Sequence, residues 1–110
     1  MKKCNNYSIR CIPVGIIYIG SSTNVSNRIS KHISMLRKNI HPCEYMQKDF
    51  NLFGIDNFEF KIENEFFAIN RRQEEMLLIN KYSETNKIYN KYTYNKYRVE
   101  LYKRKYNRSI

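Results

Sequence analysis

Apolar and polar residues alternate along Tyr7-Ser8-Ile9-Arg10-Cys11-Ile12, the pattern of a half-buried strand. Pro13-Val14-Gly15 punctuates it, and Ile16-Ile17-Tyr18-Ile19-Gly20 follows as a second β-branched and aromatic run, so the two read as a hairpin. From Asn24 the period becomes helical. Val25, Ile29, Ile33 and Leu36 fall on one stripe, with Thr23 or Asn24 as the N-cap, and Arg28 and His32, four apart, share a side. His41-Pro42 breaks the chain. A second helix is expected from about Glu44, turning Met46, Phe50 and Phe53 inward and stopping at Gly54. Asn57 to Phe66 alternates again, with Phe58, Phe60 and Ile62 on one face and Glu59, Lys61 and Glu63 on the other. A third helix runs from about Ile69 to Tyr82, packing Met76, Ile79 and either Leu77 or Leu78, with Glu75 on the side of Ile79 and Tyr82. The order β-β-α-α-β-α defines an α+β domain, a small three-stranded antiparallel sheet flanked by helices.

Length and charge narrow the picture. A chain of 110 residues has room for one domain and one modest core. The domain is expected over residues 1–90, followed by a basic tail over 91–110. The formal charge is +10 and the pI is near 9.6, which makes a polyanion the expected partner. The tail alone carries seven Lys or Arg against one Glu. No apolar run approaches the roughly 20 residues that span a bilayer, and Met1-Lys2-Lys3 leads into Cys and Asn. An intracellular protein with no membrane association is expected, cytoplasmic or in a host-cell cytoplasm. Cys4, Cys11 and Cys43 are odd in number and without CxxC spacing, which argues against a disulfide framework. His41 and Cys43 lie two apart, but no second pair has zinc-ligand spacing, so a structural zinc is disfavoured. The abundance of Asn, Lys, Ile and Tyr is that of an AT-rich genome.

Taken singly, the polar residues on these elements have ordinary explanations: strand tyrosines, a basic helix face, a surface glutamate. Taken together, Tyr7 on the first strand, Tyr18-Ile19-Gly20 on the second, Arg28 and His32 on a helix, Glu75 on the last helix and Asn90 after it resemble the GIY-YIG nuclease superfamily. Within it they are most similar to the catalytic domain of phage-type, intron-encoded homing endonucleases. Gly54-Ile55-Asp56-Asn57-Phe58-Glu59-Phe60 and Ile79-Asn80-Lys81-Tyr82 share that likeness, which spans residues 5 to 90. The chain departs from the family at Asn5-Asn6, where Gly-Ile would precede the first tyrosine. Asparagine is among the residues that best tolerate the left-handed backbone a glycine would allow.

The resemblance implies a DNA endonuclease that hydrolyses phosphodiester bonds with Tyr7, Tyr18, Arg28, His32, Glu75 and Asn90 in its site. The chemistry suits these residue types. Glu75 is the single metal ligand, and one carboxylate completed by water and phosphate oxygens fits one Mg²⁺ or Mn²⁺. A tyrosine whose phenolate is favoured by nearby cations takes the proton of the attacking water; either tyrosine qualifies, and Tyr18 is preferred. Arg28 offers a fixed fork of donors to the phosphate, and His32 bonds the phosphate or the leaving oxygen. Asn90 orients a tyrosine, the backbone or the substrate. Lys31 and His41 are expected to contact nucleic acid, together with Lys96, Arg98, Lys103 and Arg104 of the tail, where tyrosines interleave with cations. Val99, Leu101 and Tyr102 allow the tail an alternative reading as a short docking segment. Two other functions fit the composition: a catalytically inactive fold of the same kind that binds DNA, and a basic RNA-binding protein, for which no aromatic RNP-type motif is present.

Overall fold

The computed structural model describes residues 1–91. Strand β1 (Lys3–Cys11) and strand β2 (Ile16–Ser22) form the expected hairpin, and Gly15 turns the connection with φ 67. Helix α1 (Val25–Arg37) follows, capped by Asn24, whose Oδ1 accepts from the Asn27 amide at 3.1 Å. Helix α2 (Glu44–Phe53) stops at Gly54, where φ is 82. Strand β3 (Phe58–Phe67), a short 3₁₀ turn and helix α3 (Arg71–Ser83) complete the expected order.

One further strand corrects that order. Lys87–Ile88 forms a two-residue strand β4 that pairs parallel with Ile16 and Ile17. The sheet therefore has four strands in the order β3-β1-β2-β4, and it is mixed rather than purely antiparallel. Two residues are too few to display any alternation, so nothing in the pattern marks them.

Helices cover both faces of the sheet. Register places Tyr7 opposite Gly20, Ile9 opposite Tyr18 and Cys11 opposite Ile16, with Phe60 and Phe58 beside Ile9 and Cys11 on β3. Side chains of that face pack with Val25, Leu36, Tyr45 and Met46 of α1 and α2 into the larger core. The other face sets Ile17 and Ile19 against Ile79 and Ile88, with Leu78 and Tyr82 beside them. Burying such a side chain contributes about 1.5–3 kcal/mol, which docks α3 on its own face.

The periodic pattern fails where tertiary contacts decide the matter. On α3, Met76 and Leu77 are exposed, and Leu78 and Ile79 face the sheet. Ile62 is exposed although the alternation places it with Phe58 and Phe60. His32, not Ile33, takes the buried place on the α1 stripe, and Ile33 is half-buried beside it. The β1–β3 pairing shifts register between Asn6 and Tyr7, leaving Glu63 as an extra residue in a bulge. The Glu63 carboxylate accepts from Ser8 Oγ at 2.6 Å and from the Tyr82 hydroxyl at 3.0 and 2.8 Å, tying the strands to α3.

Candidate active site

Gly20 decides how the site is built. A β-carbon there would overlap the hydroxyl and ring of Tyr7, so the Tyr7 ring lies across β2 at the one position without a side chain. It is 1% exposed. Its hydroxyl meets His32 Nε2 at 2.7 Å, and His32 Nδ1 in turn meets His41 Nε2 at 2.7 Å. The two imidazoles stack with centroids 5.0 Å apart. The backbone amide of Cys43 donates to His41 Nδ1 at 3.0 Å. Tyr18, half-buried, stands beside this chain, its ring 5.2 Å from that of His32 and 6.5 Å from that of Tyr7. Gln47 holds the connection between α1 and α2 in place: its Oε1 accepts from the His41 amide at 3.0 Å, and its Nε2 donates to the Leu36 carbonyl at 2.9 Å.

Across the sheet, the next residue of β2 gathers a second group. Ser21 Oγ donates to Glu75 Oε2 at 2.6 Å and accepts from Arg71 Nε at 2.7 Å, while the Arg71 guanidinium also donates to the Ser21 carbonyl at 2.6 Å. Asn6 ties the sheet to the same stretch of α3, donating to the Glu74 carbonyl at 3.1 Å and to Asn64 at 3.1 Å. The two groups sense each other, because the Glu75 carboxylate opposes ionisation of both tyrosines and Arg28 favours it.

Burial dominates the electrostatics. It raises the Tyr7 pKa above its ordinary value, against the neighbouring Arg28 guanidinium, which lowers it. Burial pushes Tyr18 up to about 12, helped by its proximity to Tyr7. Arg28 favours the Tyr18 phenolate in the expected direction, but burial outweighs it. His32 falls to about 3 and His41 to about 4, chiefly through burial, so both rings are neutral near pH 7.

The structure gathers Tyr7, Tyr18, Arg28, His32 and Glu75 around the Gly20-Ser21 step. Asn90 joins them through the backbone: its Oδ1 accepts from the Ile19 amide at 2.8 Å and its Nδ2 donates to the Ile19 carbonyl at 2.6 Å. It acts as a strand would, extending the edge that β4 begins. His41, expected to touch nucleic acid, is buried with both ring nitrogens engaged inside the protein. Lys31 is exposed on α1. Lys96, Arg98, Lys103 and Arg104 lie outside the described residues. Sequence reasoning missed Ser21, Arg71 and Gln47. Arg71 and Glu75 are four apart on a helix, a spacing that could have flagged Arg71, but nothing in the pattern singles out a serine and a glutamine. At Asn5 the backbone is extended within β1, and Asn39 is the one non-glycine residue of positive φ among the described residues. The position therefore needs no left-handed conformation.

Comparison with known proteins bears on the family and the fold. The sequence profile of the GIY-YIG catalytic domain matches residues 3–107, and the chain belongs to that family. No curated protein matches the chain. Among solved structures, the catalytic domain of the homing endonuclease I-TevI is similar with a TM-score of 0.69 at 23% identity, over 76% of this chain and 94% of that one. A Glu-to-Ala mutant of the catalytic domain of intron endonuclease I-TevI gives a TM-score of 0.68 at 24% identity, over 77% of this chain and 90% of that one. At these identities the likeness is one of fold.

Proposed function

We propose that the chain is a divalent-metal-dependent DNA endonuclease, homing-endonuclease-like, which hydrolyses phosphodiester bonds with one metal ion. The observation that carries this reading is the Gly20-Ser21 step of β2, which brings Tyr7, hydrogen-bonded to His32 and influenced by the Arg28 charge, and the carboxylate that Ser21 orients near enough for that carboxylate to oppose ionisation of the phenol. The donor set fits a hard cation. Among the described residues no three His, Cys, Asp or Glu side chains converge, and Mg²⁺ or Mn²⁺ is commonly held by one or two carboxylates, with water and phosphate oxygens completing its shell. Ser21 engages Oε2 of Glu75, leaving Oε1 for such an ion. Bound there, a divalent cation would screen the phosphate, assist the leaving oxygen and offset the negative charge that disfavours both phenolates.

Tyr7, once it has released its own phenolic proton to solvent, is the better candidate for accepting the proton of the attacking water. Its oxygen has His32 and Arg28 as neighbours able to support a phenolate, whereas burial holds the Tyr18 phenol at about 12. Tyr18 then stays a phenol and hydrogen-bonds the water or phosphate. Arg28 clamps the phosphate as charge builds on it. Asn90 keeps Ile19, between Tyr18 and Gly20, in line.

The test is nicking of supercoiled plasmid with Mg²⁺ or Mn²⁺ by wild type and by Glu75→Ala, Arg28→Ala, Tyr7→Phe and Tyr18→Phe. Loss of about 10²-fold or more is expected for Glu75→Ala, Arg28→Ala and Tyr7→Phe, and a smaller loss for Tyr18→Phe. Undiminished nicking by Glu75→Ala would remove the mechanism.

A further inference from the structure

The hydrogen bonds running from Cys43 to Tyr7 have a direction. An amide N–H can only donate, so His41 Nδ1 must accept at Cys43 and carries no proton. A neutral His41 then has its proton on Nε2, pointing at His32 Nδ1. That nitrogen must accept, which puts the His32 proton on Nε2, pointing at the Tyr7 oxygen. Charged forms fail the same count. An imidazolium at His41 would place N–H against the Cys43 amide. An imidazolium at His32 would require His41 to accept at both nitrogens, which a neutral ring cannot do. Burial, which lowers both pKa values, agrees.

We infer that the Cys43 backbone amide, acting through His41, fixes His32 as a hydrogen-bond donor to the Tyr7 oxygen, and that His41 is a positioning residue rather than a contact to nucleic acid. This rests on the reading of Tyr7 as the group that accepts the water's proton. Its consequence is specific. His32 does not draw the proton from Tyr7; its own N–H already faces the oxygen on which negative charge must sit, so a phenolate needs no rearrangement of the rings. Gln47 supports the arrangement by pinning the His41 amide and the end of α1 to α2. The relay joins three places in the chain, β1, α1 and the connection that leads to α2, so no local pattern reveals it.

Two-bond ¹H–¹⁵N correlation spectra of the uniformly labelled protein read the tautomers directly. Both His32 and His41 are expected as Nε2–H forms, and an Nδ1–H form at either overturns the inference, whether or not the protein cuts DNA. Two pairs of variants then test its bearing on catalysis. His41→Gln keeps an N–H donor near His32 Nδ1, while His41→Leu has none; the leucine variant should lose about tenfold to a hundredfold in kcat with the KM for plasmid held, and the glutamine variant should recover part of it. Cys43→Pro deletes the amide at a position whose φ of −84 suits proline and whose N–H makes no intrahelical bond. Compared with Cys43→Ala, which keeps the amide, it should release His41 into mixed tautomers and lower kcat. Identical tautomers and identical kcat in the proline and alanine variants would overturn the inference. An inactive wild type with both Nε2–H forms would refute the proposed function and uphold the relay.

Discussion

Tyr7 occupies the space that any side chain at position 20 would need, so one added methyl group tests the site at its smallest scale. Gly20→Ala must displace the ring from His32, and overpacking of this kind costs about 1–3 kcal/mol. The expected result is a folded protein with a lower urea midpoint and plasmid nicking reduced well beyond what the stability loss explains. A second prediction concerns the imidazoles. In the folded chain His32 and His41 hold their protons only near pH 3 and 4, whereas an unfolded histidine binds one below about 6.5. The unfolded state therefore binds more protons throughout that interval, and stability rises with pH across it. The contribution is full above about pH 6.5 and is lost as the pH falls toward 4, on the order of a few kcal/mol for the coupled pair. Urea denaturation followed by circular dichroism at about pH 7.5, 5.5 and 4.5 should show this slope, and replacing both histidines by glutamine should flatten it.

Elements were legible in proportion to how repetitively they are written. The three longer strands and three helices announce themselves by alternation or helical period, because each buries one face against the sheet or the helices over it. β4 does not, being two residues held by the neighbours that α3 brings alongside. The site divides in the same way. Tyr7, Tyr18, Arg28, His32, Glu75 and Asn90 were legible because a family resemblance set their spacing, while Ser21, Arg71 and Gln47 act through contacts between elements far apart in the chain. His41, expected to contact nucleic acid, is instead buried and bonded to His32, Cys43 and Gln47, partners that no local pattern identifies. Asn90 shows best what such a contact supplies. Its amide makes both backbone hydrogen bonds that a neighbouring strand would offer Ile19. Asn90→Ala should cost about 1–2 kcal/mol, two hydrogen bonds partly replaced by water. It should also lower nicking, because Tyr18 and Gly20 flank the released residue. Thermal melts alongside plasmid assays separate the two effects.

At the scale of the whole molecule the net charge of +10 predicts salt-sensitive binding to DNA. If Lys96, Arg98, Lys103 and Arg104 each contact a phosphate, changing all four to glutamine should shallow the slope of log K against log salt by about 3 to 4. Fluorescence anisotropy with a labelled duplex measures it, and an unchanged slope would assign those cations no part in binding. The position of Asn90 bears on this beyond the edge it completes. Bonded to Ile19, it fixes the chain one residue from both Tyr18 and Gly20, so whatever follows starts out beside the site. If the cations that follow contact DNA held there, they do so at an effective concentration set by the length of chain between them and Asn90. Contacts too weak to bind DNA from free solution can contribute to retaining it from that point of attachment.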